Sequence, residues 1–255
     1  MLTILQPTAI GRRHAYLATV DPRARVLAAL GLSLLVVVAG RFSVLGAALA
    51  AAVVVCGLSG LPIRVVLKRL LPLNALMLAL LLLLPLTTSG TPLATLGPLR
   101  FSREGLRLGA AIALKGNVVM LTLLALLGTM DAGTLGHALS HLRVPDKLTH
   151  LLLFTVRYLD VLHREHLRLR AAMKVRGFRP RMDRHTYRTF GYLVGMLLVR
   201  SFDRAERILA AMKCRGFRGR FHLLDHFAFS RRDVPFCAAS AMVLLLLVTL
   251  EWGML

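Results

Sequence analysis

Long stretches without any charged residue constrain this chain more than any other feature of its sequence. Residues 26–40, 42–63, 70–99, 116–130 and 234–250 contain no Asp, Glu, Lys or Arg. A helix that crosses the hydrocarbon core of a bilayer needs about 17–25 mostly apolar residues. The chain is 56% hydrophobic and 18% charged, whereas soluble domains have about 45–50% apolar and about 25% charged residues. The stretches therefore indicate a membrane protein rather than a soluble protein with a large core.

The stretches predict an all-α, polytopic membrane protein with about five transmembrane helices. The second, third and fifth stretches are long enough by themselves. The fourth is long enough if it extends back to Gly105, which places Arg107 and Lys115 inside it. The first is short, so we expect its helix to begin near Arg23 or Arg25. The first residues do not resemble a cleavable signal peptide, so the first span is expected to be retained. Four or six spans also fit the pattern.

The formal net charge of +21 is concentrated in one region of the chain. Residues 143–233 hold 21 of the 33 Lys and Arg residues, against 8 of the 12 Asp and Glu residues. Basic regions next to spanning helices stay on the cytoplasmic side of the membrane. We therefore predict a multi-pass membrane protein with its basic region in the cytoplasm and with three regions. Its N-terminal transmembrane helices occupy 1–128, a cytoplasmic region occupies 129–233, and a C-terminal transmembrane helix occupies 234–255.

Helical periodicity continues through the basic region. A short amphipathic helix is predicted after Asp131, which has the chemistry of an N-cap. One long helix is predicted over about 146–176 and another over about 183–215, each with apolar residues at helical spacing along one side. We expect these amphipathic helices to lie along the inner membrane surface with their ends in water.

The two long helices end in nearly the same nine residues. The segment AAMKVRGFR at 171–179, here called tip 1, recurs as AAMKCRGFR at 210–218, here called tip 2. Glycine after a basic last turn is a common helix C-terminus, and this explains a single copy. A generic C-cap does not fix the alanine pair, the methionine or the phenylalanine. Two copies therefore indicate two equivalent pockets in a partner with two-fold or pseudo-two-fold symmetry.

Each tip carries side chains suited to docking against another protein. Its arginine offers a planar fork of five donors, which a lysine does not reproduce. Its phenylalanine is an apolar anchor, and its glycine lets the backbone turn close to a partner surface. The candidate docking residues are Lys174, Arg176, Gly177 and Phe178 in tip 1, and Lys213, Arg215, Gly216 and Phe217 in tip 2.

Two charge pairs upstream of the tips are predicted to stabilise the long helices. Arg157 precedes Asp160, and Arg200 precedes Asp203, by three positions in each case. Opposite charges at this spacing can form an ion pair on one helix face, which stabilises a helix by about 0.2–0.5 kcal/mol.

The paired tips resemble the two Ala-Arg-Gly motifs of the transmembrane T component of energy-coupling-factor (ECF) transporters. The segment VDPRAR at 20–25 resembles that family's D-P-R-x-K entry to the first span. The resemblance runs from about residue 20 to 250, and among T components it is closest to the cobalt type, CbiQ. The alanine of each motif is replaced, by Val175 in tip 1 and by Cys214 in tip 2, whereas the arginine and glycine are kept.

The resemblance implies a place in the inner membrane of a bacterial cell, a set of partners and no cofactor of the chain's own. It implies coupling helices in a V or X arrangement, with each tip in a groove of one of two ABC ATPase subunits (CbiO-like) that hydrolyse the ATP. It implies a separate substrate-capture membrane protein on the same helices, CbiM-like for cobalt or nickel, and a small accessory membrane subunit is a further candidate. The rest of the basic surface is expected to meet membrane lipid.

Three other functions fit parts of the sequence. A T component of a vitamin transporter stays open, because no residue names the substrate. A membrane-embedded hydrolase would need clustered polar residues in the spans, which offer little beyond Asn74 and Asn117. The pI near 11.6 also suits nucleic acid, but these basic residues adjoin spanning helices, and anionic lipid accounts for them at about 1 kcal/mol per residue.

The sequence predicts neither a catalytic nor a metal site. No P-loop motif occurs, so nucleotide binding of that kind is not expected. The three cysteines lack metal-ligand spacing. Three histidine pairs fall in or beside the basic region, where positive potential disfavours a cation: 137 with 141, 163 with 166, and 222 with 226.

Overall fold

A computed structural model describes residues 20–88, 91–96, 99–142, 144–218 and 233–253. The histidine pair predicted at 222 and 226 lies outside these residues. The chain divides by its contacts into two units. The membrane unit comprises Met1–Ala138 and Phe227–Leu255, and the arm unit comprises Leu139–His226. The region boundaries predicted at 129 and 233 stay a prediction.

The described residues are mainly helical, as the sequence predicts. The helices are α1 (Pro22–Val38), α2 (Phe42–Leu58), α3 (Ile63–Thr87), α4 (Arg103–Leu126), α5 (Ala132–His141), α6 (Asp146–Val175), α7 (Arg184–Cys214) and α8 (Asp233–Trp252). Two short strands, β1 (Pro92–Leu96) and β2 (Leu99–Ser102), pair antiparallel between α3 and α4. The protein is therefore an all-α membrane protein with one small hairpin.

Among the described residues, three helices are long and apolar enough to cross a membrane: α3, α4 and α8. The apolar helix α2 has 17 residues, and so does α1. At 1.5 Å per residue such a helix is about 26 Å long, just short of the roughly 30 Å hydrocarbon core. A polytopic membrane protein is thus confirmed, and the count of five spans stays a prediction.

The third predicted span extends further toward the N-terminus than the uncharged stretch indicates. Its helix begins at Ile63 and includes Arg64, Lys68 and Arg69, because charged residues are compatible with a helix where it reaches the membrane surface. The helix ends at Thr87, before a segment rich in Thr, Ser, Gly and Pro, and the chain then forms the hairpin. The uncharged stretch up to residue 99 is therefore not one helix.

Close backbone contact joins α3 and α4. A Cβ atom added at Gly105 would stand 2.7 Å from Pro85 Cα and 2.8 Å from Leu84 O, and one added at Gly109 would stand 3.3 Å from Leu81 Cα. Small residues four apart let membrane helices approach in this way. Because later α4 residues meet earlier α3 residues, the two helices are antiparallel.

The helices α1 and α8 run parallel, with polar contacts at both ends. Asp21 N–H donates to Asp233 Oδ1 over 2.8 Å at their starts, and Gly40 N–H donates to Glu251 Oε1 over 2.9 Å near their ends. The main buried core joins both helices to α2 and α4, and it includes Val36, Val44, Leu45, Ala48, Val118, Leu121 and Leu247.

Two matched helix tips as the candidate functional site

In the arm unit, α6 and α7 both end in the same hydrogen-bonded turn. In tip 1, Phe178 N–H donates to Met173 O over 3.1 Å, and Gly177 N–H donates to Lys174 O over 3.0 Å. Gly177 has a φ of 77°, in the left-handed region that favours glycine. This pattern of two backbone bonds around a left-handed residue is a Schellman motif, which satisfies carbonyls that the end of a helix leaves without partners.

Tip 2 repeats this geometry. Phe217 N–H donates to Met212 O over 3.0 Å, and Gly216 N–H donates to Lys213 O over 3.0 Å. The φ of Gly216 is 80°. The sequence repeat is therefore also a structural repeat, down to the individual backbone bonds.

The Schellman motif explains more of the repeat than a generic helix C-cap does. It places the methionine at C3 and the phenylalanine at C″, two positions that commonly make an apolar contact. The local fold thus accounts for the glycine, and for an apolar residue at the positions of the methionine and the phenylalanine. It leaves unexplained the alanine pair and the identical arginine at both C-caps, Arg176 and Arg215, since any cation there satisfies the helix dipole.

The two tips also present the same side chains to the surroundings. Lys174 and Arg176 are exposed, as are Lys213 and Arg215. Val175 is 88% exposed, and Cys214 is exposed at the equivalent position. The replacement of alanine in the two motifs therefore falls where the side chain packs against nothing inside the arm unit.

The phenylalanine of tip 1 has a contact within the chain. The Phe178 ring lies edge-on to Phe190, with centroids 5.9 Å apart, and 6.3 Å from the ring of His185. These ring contacts hold the segment between α6 and α7 against the first turns of α7. Phe178 and Phe217 are both half-buried. Insertion of these rings into a partner pocket stays a prediction.

A buried carboxylate links α6 to α7, which we call the two arms. The side chain of Glu165 on α6 is only 11% exposed, and it forms a hydrogen-bonded ion pair with Arg200 on α7. Arg168, one turn further along α6, lies 3.6 Å from the same carboxylate. We call the pair Glu165–Arg200 the brace.

The brace corrects the predicted helix-stabilising pairs. Arg200 turns to Glu165, which needs a cation because it is shielded from water, and not to Asp203. Among the described residues, no ion pair joins Arg157 to Asp160, and both are exposed. Water solvates exposed charges well, so an i,i+3 spacing alone does not hold them together.

The sequence contained a signal for the brace. Glu165 falls between Leu162 and Leu169, at the helical spacing that marks the apolar face of α6. A single acid on that face of a basic helix predicts a buried partner. The identity of the partner was beyond sequence reasoning, because Arg200 is 35 positions away.

An apolar groove of about 430 Å³ lies beside the brace, between α6 and α7. Its walls include Phe154, Tyr158 and Val161 from α6 and Leu197, Ile208 and Met212 from α7. Met212 is also the C3 residue of tip 2, so the turn at this tip begins on the wall of the groove. A change in the packing of the arms is therefore able to reach tip 2 directly.

The tips present positive charge and hydrogen-bond donors. Within the described residues, no group of three or more His, Cys, Asp or Glu side chains stands close enough to hold a metal ion. Each tip is cationic, with three exposed basic residues around a left-handed glycine. Such a surface binds carboxylates or backbone carbonyls of another protein.

Comparison with known proteins gives one family. The family model described as CbiQ, cobalt transport protein, matches residues 14–223. The match includes helices α1 to α7 and both tips. A search of curated proteins gave no match.

Proposed function

The chain belongs to the CbiQ family of cobalt transport proteins, and from this premise we propose that it is the coupling subunit of an ATP-driven cobalt importer of the ECF type. In this proposal the chain binds two ABC ATPase subunits through its tips. It also binds a separate capture subunit, which takes up the metal. Nickel is an alternative cargo, because both ions use the same kind of capture protein.

The observation that carries the proposal is the structural identity of the two tips. The same two backbone bonds, the same left-handed glycine and the same exposed cations occur at the ends of α6 and α7. One chain therefore presents two equivalent contact points. Two identical or closely similar ATPase subunits, related by a two-fold axis, supply two equivalent grooves for them.

The chemistry of the tips supports a protein partner rather than a phosphate ligand. Anions bind at helix N-termini, where backbone N–H groups point outward. The tips are C-termini, where a Schellman motif bonds two of the last carbonyls. The exposed basic side chains, Arg176 and Arg215 among them, are therefore the charged groups available for contacts. Because a guanidinium forks, each can hold a carboxylate or two carbonyls of the ATPase.

The brace supports a role in transmitting motion. Ten residues separate Glu165 from Val175 at the end of α6, and 14 separate Arg200 from Cys214 at the end of α7. These are levers of about 15 Å and 21 Å at 1.5 Å per residue. When nucleotide binding draws the two ATPase subunits together, the tips move with them. The brace then passes this movement between the arms, and the helices pass it to the capture subunit.

In this proposal the basic region lies in the cytoplasm, where ATPases and ATP are found. Arginine and lysine residues beside the membrane add an attraction to anionic lipid of about 1 kcal/mol each near the surface. The chain itself contains no P-loop motif, so the nucleotide is bound and hydrolysed by the partner subunits.

Charge reversal at the tips tests the proposal. We expect the variant Arg176→Glu with Arg215→Glu to lose co-purification with both ATPase subunits while it still inserts into the membrane. The matched control is Arg170→Glu with Arg207→Glu, which makes the same change in net charge at exposed positions of the same two helices. Full retention of the ATPases by the tip variant, or equal loss in the control, would contradict docking through the tips.

A further inference from the structure

Four polar residues of the membrane unit meet at the start of α1. Asp21 is 7% exposed, Arg25 4% and Asp233 2%, and Thr129 is half-buried. We call this group the clamp. Buried charges contribute little to net stability, because their desolvation offsets their attraction. Their presence therefore indicates that the position of these segments relative to one another is important.

The clamp joins α1 to two distant parts of the chain. The Arg25 guanidinium donates through Nη2 to Thr129 Oγ1, a contact across 104 positions. The Asp21 N–H donates to Asp233 Oδ1 over 2.8 Å, across 212 positions. Asp21 also caps α1, since its carboxylate accepts from Arg23 N–H over 2.9 Å. The first turn of α1 is therefore a fixed point to which both distant segments are bonded.

These two segments lie a few residues from the points where the chain leaves the membrane unit, after Ala138, and re-enters it, at Phe227. Thr129 follows the end of α4 at Leu126, and Asp233 is the first residue of α8. The whole arm unit, Leu139–His226, lies in sequence between them. On each side of the arm unit, the membrane unit is thus bonded to the first turn of α1 at a residue close in sequence to the connection.

The far end of α1 is held as well. Lys115 Nζ donates to Val37 O over 2.8 Å, and Gly40 N–H donates to Glu251 Oε1 over 2.9 Å. The lysine satisfies a carbonyl that the end of α1 leaves open. Bonded at both ends, α1 is able to move as one rigid element with the segments attached to it.

We propose that the clamp is the joint through which movement of the arm unit reaches the membrane helices, with Arg25, Thr129 and Asp233 as positioning residues. This inference rests on the proposed function. A pull on either connection is transferred to α1 by the Arg25–Thr129 or the Asp21–Asp233 contact. Without these contacts the connections move alone, and ATP hydrolysis no longer drives the membrane helices.

The test uses the complete complex, with both ATPases and the capture subunit, in proteoliposomes. The measured quantity is the number of cobalt ions taken up per ATP hydrolysed. Thr129→Val removes the acceptor while keeping the shape, and Thr129→Ser keeps the hydroxyl. Asp233→Ala removes the second acceptor, and Asp233→Asn keeps an oxygen that can accept the same N–H.

We expect Thr129→Val and Asp233→Ala each to lower the uptake per ATP by about tenfold, the factor that matches one lost hydrogen bond to a charged or buried group. The ATPase rate and the yield of assembled complex stay near those of the native protein, and the Ser and Asn variants restore the ratio. A purely structural role lowers uptake and hydrolysis together.

An unchanged ratio in both variants, or a parallel fall of uptake and hydrolysis, would overturn the inference. A variant that yields less complex is judged on the ratio alone, since the ratio is independent of the amount assembled. Failure of the proposed function gives a different result, because the native chain then shows no ATP-driven uptake.

Discussion

The left-handed glycines permit a prediction whose size follows from the structure. Gly177 and Gly216 have φ values of 77° and 80°, and a Cβ atom added at either would meet nothing within 4 Å. An alanine there is therefore free of clashes and is penalised only by its backbone conformation, by about 1–2 kcal/mol per site. At about 1 kcal/mol, each substitution weakens the folded tip by a factor of about five.

This penalty has two measurable consequences. In the chain alone, the amide protons of Phe178 and Phe217 lose protection by about fivefold, because their bonds to Met173 O and Met212 O depend on the left-handed residue. In the complex, the affinity for the ATPase pair falls by about fivefold for one substitution. It falls by about thirtyfold for both if the two tips act independently.

Hydrogen exchange of the purified chain measures the first effect, and binding of the ATPase pair to the detergent-solubilised chain measures the second. Asparagine tolerates the left-handed conformation better than alanine does, so the Asn variants should lie between alanine and the native chain. Gly191→Ala is the matched control, since Gly191 also has open space around it but sits inside α7. Unchanged exchange and binding in the double alanine variant would refute the reasoning.

Three further predictions concern the brace, the helix packing and the orientation. Replacing Glu165 by Ala leaves Arg200 without its carboxylate, which lowers the stability of the α6–α7 contact by about 1.5–3 kcal/mol. The rate of amide hydrogen exchange in α6 and α7 should therefore rise, and an unchanged rate would contradict the brace. Gly105→Ala places a Cβ within 2.8 Å of α3 backbone atoms. This overpacking costs about 1–3 kcal/mol and should lower the unfolding temperature in detergent. Gly46→Ala, where an added Cβ meets nothing within 4 Å, should leave that temperature unchanged. The exposed Cys214 should react with a membrane-impermeant thiol reagent only after the cells are opened; labelling in intact cells would place the arms outside.

Hydrophobic and helical periodicity predicted most of the helices. The sequence placed the long arms at about 146–176 and 183–215, and the structure has them at Asp146–Val175 and Arg184–Cys214. Their ends were predictable because glycine and basic residues mark a helix C-terminus locally. The strand pairing after α3 was not predicted, because a segment rich in Thr, Ser, Gly and Pro indicates a loop and does not by itself specify a hairpin.

Contacts between distant residues lay beyond the sequence. Arg200 was assigned to Asp203 because the two are close in sequence, yet its partner Glu165 lies on the other arm. The bond between Asp21 and Asp233 spans 212 positions, and no local spacing predicts it. The docking role of the tip arginines was predicted from the repeat, from their side-chain chemistry and from the family resemblance. The structure adds that the neighbouring glycine is needed for the turn at the helix end.

The most direct test of the central claim is cross-linking from the two tips. Position 175 and position 214 are equivalent and exposed, so a chain with Val175→Cys, the native Cys214 and its other two cysteines replaced by alanine carries one thiol at each tip. Treated with a short thiol-directed photo-cross-linker in the assembled complex, this chain should yield a product with the mass of one chain and two ATPase subunits. Chains with a single tip thiol should yield one chain and one ATPase. A single ATPase in every product, or cross-links to lipid alone, would contradict the account.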